Sequence, residues 1–434
     1  MKILHYSLGF PPYRSGGMTT FCIDLMEEQI KNNYQVALLW PGRMSFFSKN
    51  IEICKTINID SQILSFEIIN PLPVSYDEGI DKINNFIDFK EHKCYLKLLQ
   101  EFKPDVIHLH TFMGLHKSFL DYAKMLKIKI VFTTHDFFPI CPRVTFIKDN
   151  KICDCVNNCN ECNGTALSIN KIRLLQSKAY RDLKESKFVK EIRKNHRENF
   201  FSCKEIAVKN NQDYSKLKSY YEAMFKLIDM IHYNSTFTKS IYEQVFKLPN
   251  SVVIPITHKN INNNKQEKDY THNFLKIRFM GTKSSFKGFD LLKEACNRLY
   301  KENFPFCLDV HFIENEKYII SNKKYSYSDL NSIFFNTDIL IVPSICEIFN
   351  YTVLEALSFG CPVIVSDTTG AKDIICDGCG IIINNITSEK LYETLKKIDR
   401  VQLNKMNQNI IDKQKIMMIE EMQNKIQKEC YERR

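Results

Sequence analysis

Residues 343–364 read Pro343-Ser344-Ile345-Cys346-Glu347-Ile348-Phe349-Asn350-Tyr351-Thr352-Val353-Leu354-Glu355-Ala356-Leu357-Ser358-Phe359-Gly360-Cys361-Pro362-Val363-Ile364. The apolar run before Pro343 reads as a strand that Pro343 ends, and a loop carrying Glu347 follows. A helix opens near Asn350, holds Glu355 about a turn and a half inside, and is stopped by Gly360 with Pro362. The run from residue 362 reads as the next strand, so the stretch is one strand–helix–strand unit of a parallel sheet. Two carboxylates thus flank one helix N-terminus. Backbone amides there can hold phosphate, while the carboxylates accept hydrogen bonds from paired hydroxyls such as a sugar and a ribose present. Taken in isolation, such a pair has a plainer reading as a capping acid beside a surface acid.

Outward from this unit, the same rhythm fills the second half of the chain. Strands are expected at residues 276–280, 307–312, 338–342 and 362–366, with helices at 289–301 and 352–359. A separate series occupies the first half, with strands at 2–7, 35–40, 105–110, 129–134 and 227–233 and helices at 17–32, 92–102 and 117–125. The polar run 262–272 has almost nothing to bury and reads as a surface loop just beyond a hinge. Two series predict an α/β protein of two Rossmann-like domains facing each other, with the ligand in the cleft beyond the carboxyl ends of the strands. The expected division is an N-terminal domain over 1–255, including a cysteine-bearing, basic helical insertion at 141–226, and a C-terminal domain over 256–415. A terminal helix at 416–434 is expected to return to the first domain.

Composition fits this architecture. At 434 residues with 44% hydrophobic, 25% charged and 12% aromatic content, the chain is neither disordered nor fibrous. Apolar runs such as 339–342 and 128–132 fall short of the roughly 20 residues that a membrane-spanning helix needs. Residues 1–7 carry one lysine, then His5 and Tyr6, with no small-residue cleavage site, so a cytosolic location is expected. The formal charge is +10, and residues 171–226 hold 15 Lys or Arg against 7 Asp or Glu. Within them Ile172, Leu175, Ala179 and Leu183 are spaced as one apolar stripe on a helix. Nucleic acid, an anionic membrane surface or a phosphorylated lipid would suit such a patch, as would a simple solvated face.

Two further segments sit between a strand and a helix. Pro11-Pro12-Tyr13-Arg14-Ser15-Gly16-Gly17-Met18 puts two glycines at a helix start, where the chain can pass close to an anion. Gly281-Thr282-Lys283-Ser284-Ser285-Phe286-Lys287-Gly288 puts two lysines where they can neutralise a diphosphate.

These three segments, in this order, resemble the GT-B glycosyltransferases, specifically the large retaining family 4 that moves sugars from nucleotide donors. The most specific element is the Glu, seven residues, Glu motif followed by Ala-Leu-Ser-x-Gly-x-Pro-Val-Ile. The resemblance implies that Glu347 contacts the donor sugar and Glu355 the ribose, that Lys287 of the Lys287-Gly288 element meets the diphosphate, and that Gly16 and Gly17 lie near the phosphates. It carries Phe349, Asn350, Tyr351 and Thr352 into the donor-binding set. His135, in Thr133-Thr134-His135-Asp136, matches the family's sugar-facing histidine, with His110 as a rival. Two departures stand out. Thr282 replaces the family's arginine, leaving Lys283 to supply that charge, and Asn350 replaces a glycine. Cys141-Pro142-Arg143 resembles a subgroup with a cysteine-bearing insertion, and Asp229 to Ser235 fits the family's Asp-x-x-x-x-x-Ser segment.

The implied activity is retaining, metal-independent transfer of a hexose or derivative from a nucleotide diphosphate sugar to a carbohydrate acceptor. A lipid-linked acceptor in cell-surface polysaccharide synthesis is expected, with the basic segment against an anionic membrane on its inner face and no nucleic acid partner. No Asp-x-Asp points to a catalytic divalent metal, and no cofactor is required. Cys141, Cys153, Cys155, Cys159 and Cys162 have partial spacing for one structural zinc or are reduced thiols. Two other readings share the cleft: another GT-B enzyme, such as a sugar nucleotide epimerase or a phosphorylase, and a non-catalytic sugar nucleotide binding protein.

Overall fold

The computed structural model describes the chain except residues 12, 57–62, 76–77, 155–158, 185, 187–190, 192–211, 248–249, 313–314, 323–324 and 434. The first half contributes β1 (Lys2–Tyr6), β2 (Gln35–Pro41), β3 (Glu52–Thr56), β4 (Leu64–Ile69), β5 (Val106–Leu109), β6 (Lys129–Thr133), the short ribbon β7 (Ile147–Lys148) and β8 (Lys151–Ile152), then β9 (Met230–Tyr233) and β10 (Ser251–Val253). Eight of them form one sheet in the order β10-β9-β6-β5-β1-β2-β4-β3, parallel except for the edge pair β3 and β4. The second half contributes β11 (Leu275–Arg278), β12 (Phe306–Val310), β13 (Ile319–Ser321), β14 (Ile339–Val342), β15 (Val363–Ser366) and β16 (Gly380–Ile383), all parallel in the order β13-β12-β11-β14-β15-β16. Both sheets grow one way from their first strand and then the other. Each therefore opens a crevice at the carboxyl ends where the order reverses, between β1 and β5 and between β11 and β14.

The pleat sorts the N-terminal strands into two buried faces. Leu4, Tyr6, Ile107, Leu109, Ile130 and Phe132 pack on one side. Ile3, Val106, Val131 and Met230 pack on the other, under Phe21, Leu25 and Met26 of the helix Gly17–Lys31 and under Met422, Ile426 and Tyr431 of the chain's last segment. That segment is a helix over Ile419–Ile426 that continues through a wider turn over Gln427–Glu432. The same apolar cluster continues into Leu340, Val342, Val353 and Val363 of the C-terminal sheet and its helix. Among the described residues, no helix is long and apolar enough to cross a membrane.

The structure corrects one expectation in the basic segment. The spacing of Ile172, Leu175, Ala179 and Leu183 does not make one stripe, because the helix breaks into Ile169–Leu175 and Lys178–Leu183. Gln176 turns inward, its side-chain carbonyl accepting from the Val74 amide at 3.1 Å, and Ser177 caps the second helix by accepting from the Tyr180 amide at 3.2 Å. Ile172 is buried and Leu183 is 57% exposed. Most of residues 185–211 lie outside the described residues. The helix Tyr214–Phe225 that follows buries Tyr220, Tyr221, Met224 and Phe225 in the N-terminal core.

Candidate functional site

The two crevices open on one cavity of about 300 Å³. After β1 the chain contributes Gly17 and Met18, after β6 His135, and after β9 Asn234. After β11 it contributes Gly281, Thr282 and Lys287, and after β14 Ser344, Glu347 and Phe349 to Thr352. Every lining segment but one leaves the carboxyl end of a central strand or opens the next helix, as the topology requires; Ile256, from the link into the second domain, adds an apolar wall.

Lys287 ends a tight turn over Ser285–Lys287, and Gly288 follows with φ +73. A Cβ on Gly288 would lie 1.9 Å from the Pro343 carbonyl oxygen, so glycine alone lets this loop press against the one after β14. The Ile345 amide donates to the Phe286 carbonyl at 2.8 Å, joining the two loops. Lys287 Nζ then donates to Glu347 Oε2, both side chains being about one-fifth exposed. The backbone of Glu347 is fixed on both sides, its amide on the Thr368 carbonyl at 3.0 Å and its carbonyl on the Gly370 amide at 2.9 Å. Ser235 Oγ and Thr238 Oγ1 donate to the Ile348 carbonyl, tying the N-terminal domain to the same loop.

The helix Tyr351–Ser358 opens at this loop. Asn350 caps it at φ +100 with its side-chain oxygen on the Thr352 amide at 3.0 Å, an angle Asn tolerates better than most residues. Facing it is the other helix start. A Cβ on Gly17 would lie 3.5 Å from the Tyr351 ring, an ordinary contact distance, so the two helix N-termini approach each other across the cavity. Gly16 is the exposed cap of its helix at φ +122 and does not line the cavity. Nor does Lys283, which is exposed on the rim loop.

Glu355 is buried behind the lining, its Oε1 3.2 Å from His258 Nε2. That approach lacks hydrogen-bond alignment, so both ring nitrogens of His258 and the hydroxyl of Tyr351 are buried there without a hydrogen bond. Nothing in the sequence around His258 signals that position, and Asn234 and Thr282 line the cavity although the motifs that contain them placed neither in the donor-binding set. Of the two rival histidines, His135 lines the cavity and His110 lies wholly buried behind it, its Nδ1 3.2 Å from His135 Nε2. Desolvation holds the His135 imidazole down to about 3, with His232 adding to it. Burial pushes the neighbouring Asp136 carboxyl up to about 7. The ends of the Asp229 to Ser235 element have plain structural work. Asp229 accepts from the Ile130 amide at 2.8 Å, and Ser235 caps the helix Thr236–Val245.

Among the described residues, two groups could share a metal ion, His5–Cys22–His110 and Asp88–His92–His116. Cys141, Cys153, Cys159 and Cys162 belong to neither, and Cys155 lies outside the described residues.

Residues 15–152 match the family described as Glycosyltransferase Family 4, and residues 310–417 match Glycosyl transferases group 1. The first stretch contains Gly16, Gly17 and His135, the second Glu347 and Glu355, and Lys287 falls between them. Sucrose-phosphate synthase from Thermosynechococcus elongatus superposes with a TM-score of 0.59 at 11% identity, over 98% of this chain and 97% of that one. The architecture is GT-B. HepE from Anabaena, solved in complex with UDP and glucose, superposes with a TM-score of 0.55 at 12% identity, over 99% and 98% of the two chains. Among sequence relatives, glycogen synthase from Clostridium beijerinckii is 30% identical over 132 residues, and an uncharacterised 41.2 kDa protein in the cps region of Klebsiella pneumoniae is 27% identical over 149. The matched segments cover 26% and 32% of this chain but only 28% and 39% of those two relatives.

Proposed function

We propose that this GT-B protein is a retaining, metal-independent glycosyltransferase that moves a hexose or derivative from a nucleotide diphosphate sugar to a carbohydrate acceptor. The observation that carries the reading is the Lys287–Glu347 pair at the start of the helix Tyr351–Ser358, opposite the helix start at Gly17. In transfer, the bond from C1 to the diphosphate oxygen breaks as the acceptor oxygen bonds C1, and the acceptor's hydroxyl proton passes to the departing diphosphate oxygen. The charge that develops on the departing diphosphate needs fixed donors, and Lys287 with the facing amides would supply them. Glu347, freed from Lys287 when the diphosphate takes that lysine, would accept from sugar hydroxyls. Glu355, with the unpartnered His258 and Tyr351 groups, offers a second place for hydroxyls, consistent with a ribose. Lys283 at the rim would add charge at longer range.

The acceptor in this reading is lipid-linked and handled at the inner face of a membrane in surface polysaccharide assembly. It draws on the positive charge of residues 171–226 and on the cps-region relative. Liposome sedimentation tests it, and binding indifferent to anionic lipid and salt would count against it. The zinc reading of the five cysteines rests on their spacing, and elemental analysis of the purified protein decides it. The transferase reading itself is tested by Lys287→Ala and Glu347→Ala. Both should lose transfer while keeping the wild-type circular dichroism spectrum, and wild-type turnover by either would overturn the site.

A further inference from the structure

Strand periodicity puts His5, His108, His110, Thr133, His135 and His232 on one face of the N-terminal sheet. Hydrogen bonds join them into one unbroken chain. From the backbone end, His232 Nε2 lies 2.7 Å from the Ile254 carbonyl oxygen, and His232 Nδ1 lies 2.9 Å from Thr133 Oγ1. Thr133 Oγ1 is 2.7 Å from His108 Nε2, and His108 Nδ1 is 2.7 Å from the Tyr431 hydroxyl. That hydroxyl accepts from Gln29 Nε2 at 3.0 Å, and Gln29 Oε1 is 2.7 Å from His5 Nε2. His5 Nδ1 then meets His110 Nε2 at 3.0 Å, and His110 Nδ1 meets His135 Nε2 at 3.2 Å at the cavity.

Burial holds all five imidazoles below their ordinary range, His5 and His232 at about 4 and His135 at about 3. Each ring is therefore neutral near pH 7, with one nitrogen donating and the other accepting. The direction of every link then follows from one end. A carbonyl oxygen only accepts, so His232 carries its proton on Nε2 and Thr133 must donate to His232 Nδ1. Thr133 has no second proton, so it accepts from His108 Nε2, and Tyr431 donates to the bare His108 Nδ1. The Tyr431 oxygen accepts from the Gln29 amide nitrogen, which turns the Gln29 oxygen to accept from His5 Nε2. His110 Nε2 donates to His5 Nδ1, and His135 Nε2 donates to His110 Nδ1.

We propose that Tyr431, through Gln29 and the two histidines beyond it, fixes His135 at the cavity as its Nε2–H tautomer with Nδ1 bare. Tyr431 is thus a positioning residue contributed by the terminal segment, about 300 residues from the ring it orients. Its catalytic consequence rests on the transferase reading, whereas the tautomer assignment does not. A reversed Gln29 amide would set its oxygen against a Tyr431 hydroxyl already committed to His108, which is what locks the far half of the chain.

Long-range nitrogen–proton spectra of the full chain labelled with 15N-histidine read the tautomer of each ring. The expected wild-type result is Nε2–H at all five. In Tyr431→Phe the Gln29 amide is free to turn, so His5, His110 and His135 should shift toward Nδ1–H, while His108 and His232, still anchored at Ile254, stay Nε2–H. General loosening would move both halves alike. Gln29→Leu makes the same cut from the other side and gives the same pattern if Tyr431→Phe folds poorly. Nδ1–H at His135 in the wild type, or an unchanged far half in both variants, overturns the proposal. In turnover, Tyr431→Phe should lower kcat about twofold at unchanged donor affinity, the share of molecules in the wrong tautomer. The predicted tautomer pattern in a protein that transfers no sugar would sink the transferase reading and leave the positioning role standing.

Discussion

The N-terminal and C-terminal crevices have the same topology and opposite chemistry. Each lies where its sheet reverses order, yet the N-terminal one is floored by neutral imidazoles under a helix and the terminal segment, while the C-terminal one is rimmed by the charged pair Lys287 and Glu347 on two loops. Strand order fixes where a ligand can sit, and the residues at the strand ends fix what it can be. A ligand spanning both would place its most anionic part at Lys287 and the facing helix starts, with a polar, uncharged part toward His135.

Breaking the charged side should cost most. Glu347→Ala and Lys287→Ala are each expected to lower kcat/KM for sugar transfer by about 10²- to 10³-fold, the usual loss when a donor to developing charge is removed. Steady-state kinetics on folded protein checks this, and a loss under about threefold would leave the pair without a catalytic part.

Next comes the scaffold that aims Lys287. Gly288→Ala puts a Cβ against the Pro343 carbonyl oxygen at φ +73, so the loop must move. It should destabilise by about 2–4 kcal/mol and lower transfer as well, read by urea unfolding beside activity. A neutral outcome would show that the loop contact does not hold Lys287.

The neutral side is tested by pH. His5, His108, His110, His116, His135 and His232 all titrate below the ordinary histidine range, burial being the first cause in each. Their folded pKa lies below the unfolded one, so the unfolded chain takes up more protons as pH falls. Stability is therefore intact above about pH 6.5 and lost below it, down toward pH 3–4, at up to about 1.4 kcal/mol per pH unit for each ring. Asp136, pushed up to about 7, runs the other way, losing its contribution as pH rises from about 4 to 7, and Asp24 and Asp338, also pushed up by burial, work in the same direction. Six imidazoles outweigh three carboxyls, and the urea midpoint should fall between pH 7 and pH 5. A flat profile would mean the floor is not neutral imidazole.

The architecture was legible because buried parallel strands are short apolar runs with helices between them. The helices Lys117–Met125 and Phe289–Lys301 appear at the bounds read from sequence. Strand β4 was missed, since Ser65 and Glu67 interrupt the apolar run of Leu64–Ile69, yet both are buried there, and Arg181 reaches Glu67 at 3.0 Å from a distant part of the chain. The break at Gln176 and Ser177 was hidden by a spacing that fits one helix, although Ser177 is itself a capping residue. His135, Lys287 and Glu347 could be named from local motifs. The approach of His258 to Glu355 and the reach of Tyr431 to His108 could not, because they bring together residues about 100 and 320 positions apart. Those contacts exist only once the sheets are assembled.

The smallest expected effect separates the two lysines. Lys283→Ala, at an exposed rim position outside the cavity lining, should cost less than about threefold in kcat/KM, since exposed charges at longer range are screened. An effect equal to that of Lys287→Ala would bring Lys283 into the site.

The central claim is that the charged crevice binds a nucleotide diphosphate sugar, and a thermal-shift panel of nucleoside diphosphates and sugar nucleotides on wild type and Lys287→Ala, with and without magnesium, tests it most directly. A ligand at about 100 times its Kd adds about 2.7 kcal/mol to the folded state. The expected result is a raised Tm for one base without magnesium in the wild type, lost in Lys287→Ala. No shift across the panel, or an equal shift in both proteins, would contradict it.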